Sequence, residues 1–391
     1  MIQRILIDSS VRDESVTQRV LANRGSIPVE WVDKETAKRT IEQVPLSQGK
    51  RLLYLTRFPG GMVKSCPGTA SPYLCCRYFV INQILQCPMD CTYCILQDYL
   101  EEPAVTLHTN VDDAFKQIDG LLLEQPNRLF RFGTGELGDS LAIDALAGLS
   151  EPYADFFSKK KNAVMEFKTK TDRVDGLLRF QPKNAVVSWS LNPQSVIATE
   201  ESGSSSLEDR LRAAARCQEK GYVLGFHFDP ICDFKGWEEE YEGVVRQLFE
   251  HVDASRIAWI SLGTLRFPPS LKGTIEERFP GSRVVYQEMV RGLDGKMRYP
   301  RPRRIELYRR LYALLTERRP DLFLYLCMEH PPVWDAVFDR HPESNAELDF
   351  WFAQNVYFRF PELNATKPIR DFYHDETENK QSRDSGIGDR E

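Results

Sequence analysis

The sequence predicts an α/β protein built on a parallel sheet, either an open doubly wound sheet or a partial barrel. Six short apolar runs follow one another: Tyr78 to Ile84, Arg128 to Phe132, Ala163 to Lys168, Ala185 to Ser190, Tyr222 to Phe228 and Arg256 to Ser261. Each is trailed by a helical pattern, and repeated βα units argue parallel pairing. The intervening stretches, such as "DDAFKQIDGLLLEQ", "LEDRLRAAARCQEKG" and "EEEYEGVVRQLFE", stop at Gly, Pro or Asn, as helices do. With 391 residues the chain can bury a full-sized core and carry additions to it.

Before the six units, "RILIDSS", "VTQRVLANRG" and "PVEWVD" read as strand, helix and strand, closed by a polar stretch to about Lys50. A Cys- and Pro-containing lead-in follows, Lys64 to Cys76. After about Phe267 the rhythm changes. "RVVYQEMVRGLDGKMRYPRPRR" reads as a hairpin with Asp294-Gly295 at its turn, then a helix from Ile305 to Glu317, a strand from Leu322 to Cys327 and a short helix. The polar tail reads as disordered. These boundaries divide the chain into an N-terminal α/β extension (1–63), the βα region (64–268), a C-terminal hairpin and α/β region (269–373) and a tail (374–391).

Net charge is -6, which gives no global signature of nucleic-acid binding, so any polyanion site must be local. The start, "MIQRILIDSS", turns charged too early for a secretory signal, and no apolar run approaches the roughly 20 residues that span a bilayer. A cytoplasmic protein with no membrane partner is expected. Nine cysteines without an export signal then point to metal ligation or core packing rather than a disulfide framework.

Three of those cysteines, Cys87, Cys91 and Cys94, crowd into "QCPMDCTYCILQ". Structural zinc takes four Cys or His ligands, so a zinc reading needs a distant fourth, with Cys66, Cys75 and Cys76 as candidates. A 4Fe-4S cluster takes one protein ligand per iron, so three thiolates leave one iron open for another ligand. Three buried core cysteines remain the plain alternative. The CX3CX2C spacing, with Tyr93 just before the last cysteine, resembles the radical S-adenosylmethionine (SAM) superfamily. That resemblance implies that the open iron is chelated by SAM, whose reductive cleavage yields methionine and a 5'-deoxyadenosyl radical.

Downstream, "GTGELG" (Gly133 to Gly138) matches a dinucleotide-binding fingerprint after a strand and before a helix. The acidic residue expected about 20 positions on is missing, since Glu166 falls in mid-strand. Beside the cysteines, the same residues read as a SAM site. Gly133, Thr134 and Gly135 would let the backbone approach the methionine moiety, and Glu136 would accept hydrogen bonds from its ammonium. Other polar residues fall at the carboxyl ends of strands, where parallel βα folds bind ligands. Lys170 is placed to pair with the SAM carboxylate, and Ser190 and Asn192 to bond the ribose. His227 and Asp229 are candidates for substrate contact. Each has an ordinary reading as a strand-end polar residue.

From about Cys66 to Tyr299 the chain resembles the spore photoproduct lyase family of radical SAM proteins, through "CPMDCTYCILQ", "GDSLAIDAL", "FKTKTDRVDGLL", "VSWSLNPQSVI" and "GWEEEYEGVVRQL". The resemblance implies a partial (β/α)6 barrel with SAM at its open top. It also implies a cluster on Cys87, Cys91 and Cys94, Tyr93 near the adenine, and SAM contacts from Lys170 and Ser190. Arg298 and Tyr299 match an Arg-Tyr pair that lies near the family's substrate. Two matches fail: where the family has its hydrogen-donating cysteine this chain has Glu136, and where it has the assisting tyrosine it has Ile95. Cys232, after the fifth strand, is the candidate replacement donor.

A radical SAM enzyme is therefore expected, lyase-like but without the usual donor, served by an electron donor such as a flavodoxin or ferredoxin. The basic run Arg291, Lys296, Arg298, Arg301, Arg303 and Arg304, with Tyr299 among it, favours nucleic acid as substrate. The alternatives are a peptide or small metabolite, or an iron-sulfur or zinc protein without turnover.

Overall fold

The computed structural model describes residues 2–66 and 72–374. The six expected strands form the centre of an eight-stranded sheet: Phe79–Ile81, Phe130–Gly133, Ala163–Thr169, Ala185–Ser190, Val223–Ile231 and Ile257–Thr264 lie side by side in chain order. Every pairing among them is parallel. Sequential order in a parallel sheet means that each helix crosses over the same face, the arrangement of a partial βα barrel. The central strands carry near-continuous apolar runs because both faces are covered; "AVVSWS" is buried at every position.

The helices obey their own end signals. Ser206 accepts a hydrogen bond from the Asp209 N–H (3.1 Å) and so opens the helix Leu207–Lys220, whose buried face includes Leu211, Ala214 and Cys217. Trp237–His251 buries Tyr241, Val244 and Leu248 in the same way. One apolar core runs through the barrel and into the regions on either side of it.

Both flanking regions are tied into the barrel. The N-terminal sheet has the order Val29–Val32, Arg4–Asp8, Leu52–Thr56, Val105–His108, Ile84–Leu85. Its last two strands come from beyond residue 63. The supposed closing stretch is an amphipathic helix, Lys34–Glu42, capped by Asp33 on the Thr36 N–H (2.8 Å) with Ala37 and Ile41 buried. At the other end, Leu324–Leu326 adds a seventh parallel strand beside Ile257–Thr264.

The hairpin forms as expected, Val290–Arg291 against Met297–Arg298, with Gly295 at φ +79° in the turn. Arg266–Phe267, just past the sixth strand, pairs with Met297–Arg298 and holds the hairpin over the barrel mouth. The helix expected from Ile305 to Glu317 is present but begins earlier, at Arg301, with Pro302 in its first turn, so that Arg303 and Arg304 belong to it. A long helix, Asn345–Arg359, was not anticipated; its aromatic residues fall on several faces and give no clear apolar stripe. It buries Asp349 against Arg128 at 2.9 Å. The tail expected to be disordered lies, from residue 375, outside the described residues.

Candidate functional site

The cysteine loop lies between the first two barrel strands and is pinned from several sides. Lys50, 2% exposed, donates to the Met89 carbonyl (2.8 Å) and to the Cys87 carbonyl (3.3 Å). Arg278 grips Asp90 with two bonds, 3.0 and 2.9 Å. Asp90–Cys91 also pairs antiparallel with Glu201–Ser202. A loop held this way presents its side chains in a fixed arrangement, and all three thiols border one cavity of about 260 Å³.

Burial pushes the Cys87 thiol up, and it pushes Cys91 to about 12 with Lys170 pulling the other way. Such thiols become ligands only when a metal centre supplies the compensating positive charge. Among the described residues, no three His, Cys, Asp or Glu side chains converge closely enough to hold a single metal ion. Three separated soft ligands facing shared space suit a multi-iron cluster better than zinc.

The "GTGELG" turn divides. Gly135, Glu136 and Gly138 line the cavity. A Cβ on Gly135 would come within 2.8 Å of the Lys168 Cβ, so only glycine lets this backbone sit against the third strand. Gly133 and Thr134, expected at the ligand, are placed elsewhere. A Cβ on Gly133 would collide with the Tyr78 hydroxyl and the Glu166 carbonyl, so this glycine serves strand packing. Thr134 is buried, donating to Ser140 Oγ at 2.9 Å. Asp139 fixes the turn by accepting from the N–H groups of Leu141, Ala142 and Lys170 and from the Thr169 hydroxyl.

Lys170, Tyr93 and Ser190 all border the cavity, but Lys170 has a partner already. Its ammonium donates to the Tyr93 hydroxyl (2.7 Å) and to Glu201 Oε1 (2.9 Å). Tyr93 in turn donates to Glu201, and Arg210 binds the other carboxylate oxygen. Glu201 is fully buried and its carboxyl is well below the usual range; burial alone would raise it, but Lys170 and Arg210 prevail. Asn192 does not reach the cavity: its amide nitrogen donates to Glu201 (2.9 Å), and its oxygen accepts from Tyr241 (2.8 Å). Its amide nitrogen also lies 3.3 Å from the Tyr93 hydroxyl, which ties Tyr93 and Glu201 together. Sequence reasoning missed Glu201, since the residue sits in a short pairing segment rather than at a barrel-strand end. Its one visible signal was the acid pair Glu200-Glu201 in the stretch before a helix.

The remaining candidates are likewise sorted by the tertiary structure. Asp229 lines the cavity, held by Arg266 through two 3.0 Å bonds. His227 is enclosed within the sheet interior, its ring nitrogens paired with Ser261 Oγ (2.7 Å) and Glu166 Oε1 (2.8 Å). Cys232 is buried below the rim and does not line the cavity; Tyr241 accepts from its backbone N–H.

Arg298 and Tyr299 are 2% and 1% exposed, and neither reaches the cavity. Arg298 is neutralised by Asp294 at 2.6 Å, while the Tyr299 hydroxyl accepts from the Asp233 N–H at 3.0 Å. Of the basic run, Arg303 and Arg304 are also paired, with Asp233 and Glu329, and Lys296 alone borders the cavity. Ile95, Lys168 and Met328 complete much of the lining.

Three thiols, a glycine turn and strand-end polar groups at the mouth of a parallel half-barrel define the radical SAM class of fold and site. Within that class the chain belongs to the spore photoproduct lyase family: the model for "Spore photoproduct lyase" matches residues 77–308, more than half of the sequence. The spore photoproduct lyase of Geobacillus sp. (strain Y412MC61) is 32% identical over 211 residues, 52% of this chain and 61% of that protein. That of Bacillus subtilis (strain 168) is 30% identical over 213 residues, again 52% and 61%. The chain thus spans about 61% of the length of these curated relatives.

Solved structures carry the same fold. Spore photoproduct lyase complexed with dinucleoside spore photoproduct superposes with a TM-score of 0.73 at 24% identity, covering 83% of this chain and 99% of that one. A mutant of the lyase with bound AdoMet and dinucleoside spore photoproduct gives the same TM-score, identity and coverage. Among the described residues, no helix is long and apolar enough to cross a membrane.

Proposed function

We propose that the chain is a radical SAM enzyme holding a 4Fe-4S cluster on Cys87, Cys91 and Cys94 and SAM in the adjoining cavity, and that it acts on a nucleic-acid substrate. The observation that carries this reading is the single cavity bordered at once by the three thiols, by Gly135 and Glu136, and by Tyr93, Lys170 and Ser190. Cluster and SAM together would supply a hydrogen-abstracting 5'-deoxyadenosyl radical.

The chain's own residues bind and orient. Glu136, 38% exposed and 3.9 Å from Lys168, is free enough to accept an ammonium. Ser190 offers a hydroxyl beside the cavity, and Tyr93 offers a ring face fixed by Glu201 and Lys170.

An external electron donor such as a flavodoxin or ferredoxin would reduce the centre, in the cytoplasm. The bound photoproducts of the structural relatives support a nucleic-acid substrate. Burial of Arg298 and Tyr299 favours a second reading, a peptide or small metabolite, which product analysis would separate.

Anaerobic reconstitution tests the core of the proposal. Wild type should take up iron and sulfide in cluster stoichiometry and release 5'-deoxyadenosine and methionine from SAM under a strong reductant. Cys91→Ala should do neither, since two irons would then lack protein ligands. Stoichiometric zinc with no iron would overturn the assignment.

A further inference from the structure

Four cations border the cavity: Lys168, Lys170, Arg266 and Lys296. Two are spoken for, Lys170 by Glu201 at 2.9 Å and Arg266 by Asp229 at 3.0 Å. The other two have no carboxylate within hydrogen-bond reach, although burial of the Lys168 ammonium is outweighed by the combined charge of Glu136, Asp229 and Glu166, which holds it above its ordinary value. The nearest carboxylate to the Lys168 ammonium is Glu136 at 3.9 Å, and the nearest to Lys296 is Asp294, also at 3.9 Å. Both contacts exceed hydrogen-bond length. Asp294 is moreover already held by Arg298 at 2.6 Å, so little of its charge is left for Lys296.

Yet both lysines are largely withdrawn from water, with side chains 26% and 24% exposed. For Lys296 a partly buried ammonium without a close partner is unfavourable, and an anion bound between the two lysines would relieve it. The Lys296 ammonium is held down, first by burial and then by the neighbouring Arg266 guanidinium, as expected of a cation lacking its counter-ion. Lys296 also borders an outer groove whose lining includes Leu96, Tyr99 and Pro268 with the carboxylates Asp98, Glu136 and Asp294, so it is the cation standing where that groove meets the cavity.

We propose that Lys168 and Lys296 form an oxyanion subsite of the cavity, taking a phosphate or carboxylate group of a bound molecule. The inference rests on the reading of this cavity as the ligand site, and it deepens that reading by naming the chemistry of one wall. Two sources fit: a phosphodiester of a nucleic-acid substrate, or the carboxylate of SAM.

The test is acetylation footprinting of the full-length, anaerobically reconstituted protein, read residue by residue by mass spectrometry. Inorganic phosphate should slow acetylation of Lys168 and Lys296 and leave surface Lys38 unchanged. In Lys296→Gln the phosphate concentration that half-protects Lys168 should rise about tenfold, the loss of one charge-assisted bond, and Lys296→Arg should restore it. No protection of either lysine in wild type would overturn the subsite, as would equal half-protection in wild type and Lys296→Gln.

Two further ligands identify the source. Protection by thymidylyl-3',5'-thymidine but not by its uncharged methylphosphonate analogue assigns the subsite to a substrate phosphate. Protection by SAM alone assigns it to the cofactor carboxylate. Phosphate protection without response to either ligand would keep the subsite and sink the proposed function.

Discussion

Glu201 is the buried centre of the site, and Glu201→Gln is the perturbation with the clearest outcome. The carboxylate accepts from Tyr93, from Lys170 at 2.9 Å, from Asn192 at 2.9 Å and from Arg210. Glutamine keeps the shape but removes the charge, leaving Lys170 and Arg210 as two cations with no buried counter-ion. Breaking a buried ion pair from one side costs about 3–5 kcal/mol. With a urea m-value above roughly 3 kcal/mol/M for a chain of this size, the unfolding midpoint should fall by about 1 M.

The pH dependence follows with a definite sign. Lys170 and Arg210 hold the Glu201 carboxyl below its unfolded value of about 4.3, so its contribution is present above that pH and is lost as pH falls below it. Wild type should therefore lose stability along an acid limb that is flatter in Glu201→Gln. Iron uptake should persist, because the thiols are untouched, while SAM affinity should drop as Tyr93 and Lys170 lose their anchor. A variant with wild-type urea midpoint and an unchanged acid limb would refute the network's role.

Three other outcomes are expected. Gly135→Ala would push a methyl group to 2.8 Å from the Lys168 Cβ, so SAM binding measured by equilibrium dialysis should weaken severely while iron content stays near wild type. Asp349→Ala would remove one side of a buried ion pair, Arg128 and Asp349 being 2% and 3% exposed, and should cost about 3–5 kcal/mol in chemical denaturation without changing SAM cleavage. On ultraviolet-treated spore-type DNA, SAM cleavage should run uncoupled from clean thymine formation, because Glu136 and Ile95 line the cavity where the family resemblance places its hydrogen donors. Multiple turnovers yielding unmodified thymine would contradict this, and their loss in Cys232→Ala would identify that buried thiol as the replacement.

The sequence by itself determined the six barrel strands, the hairpin turn and the three thiols. Each is a local signal: apolar runs at fixed spacing, Asp294-Gly295, and cysteines within one loop. It also placed Glu136, Lys170, Ser190 and Asp229 at strand ends, and the structure brings all four to the cavity. What only the tertiary structure decided is which polar groups face the cavity and which face each other. Lys170 was legible as a strand-end cation, but its partner Glu201 lies 31 residues away, across the fold. Arg298 was legible as a match to the family's substrate-side pair, but the fold buries it, with its guanidinium on Asp294 and on the carbonyl of Met328, 30 residues away. Lys168 and Lys296, far apart in sequence, became neighbours of one cavity only when the hairpin folded over the barrel mouth. Side-chain pairing depends on distances between distant segments, and no local pattern of residues encodes those.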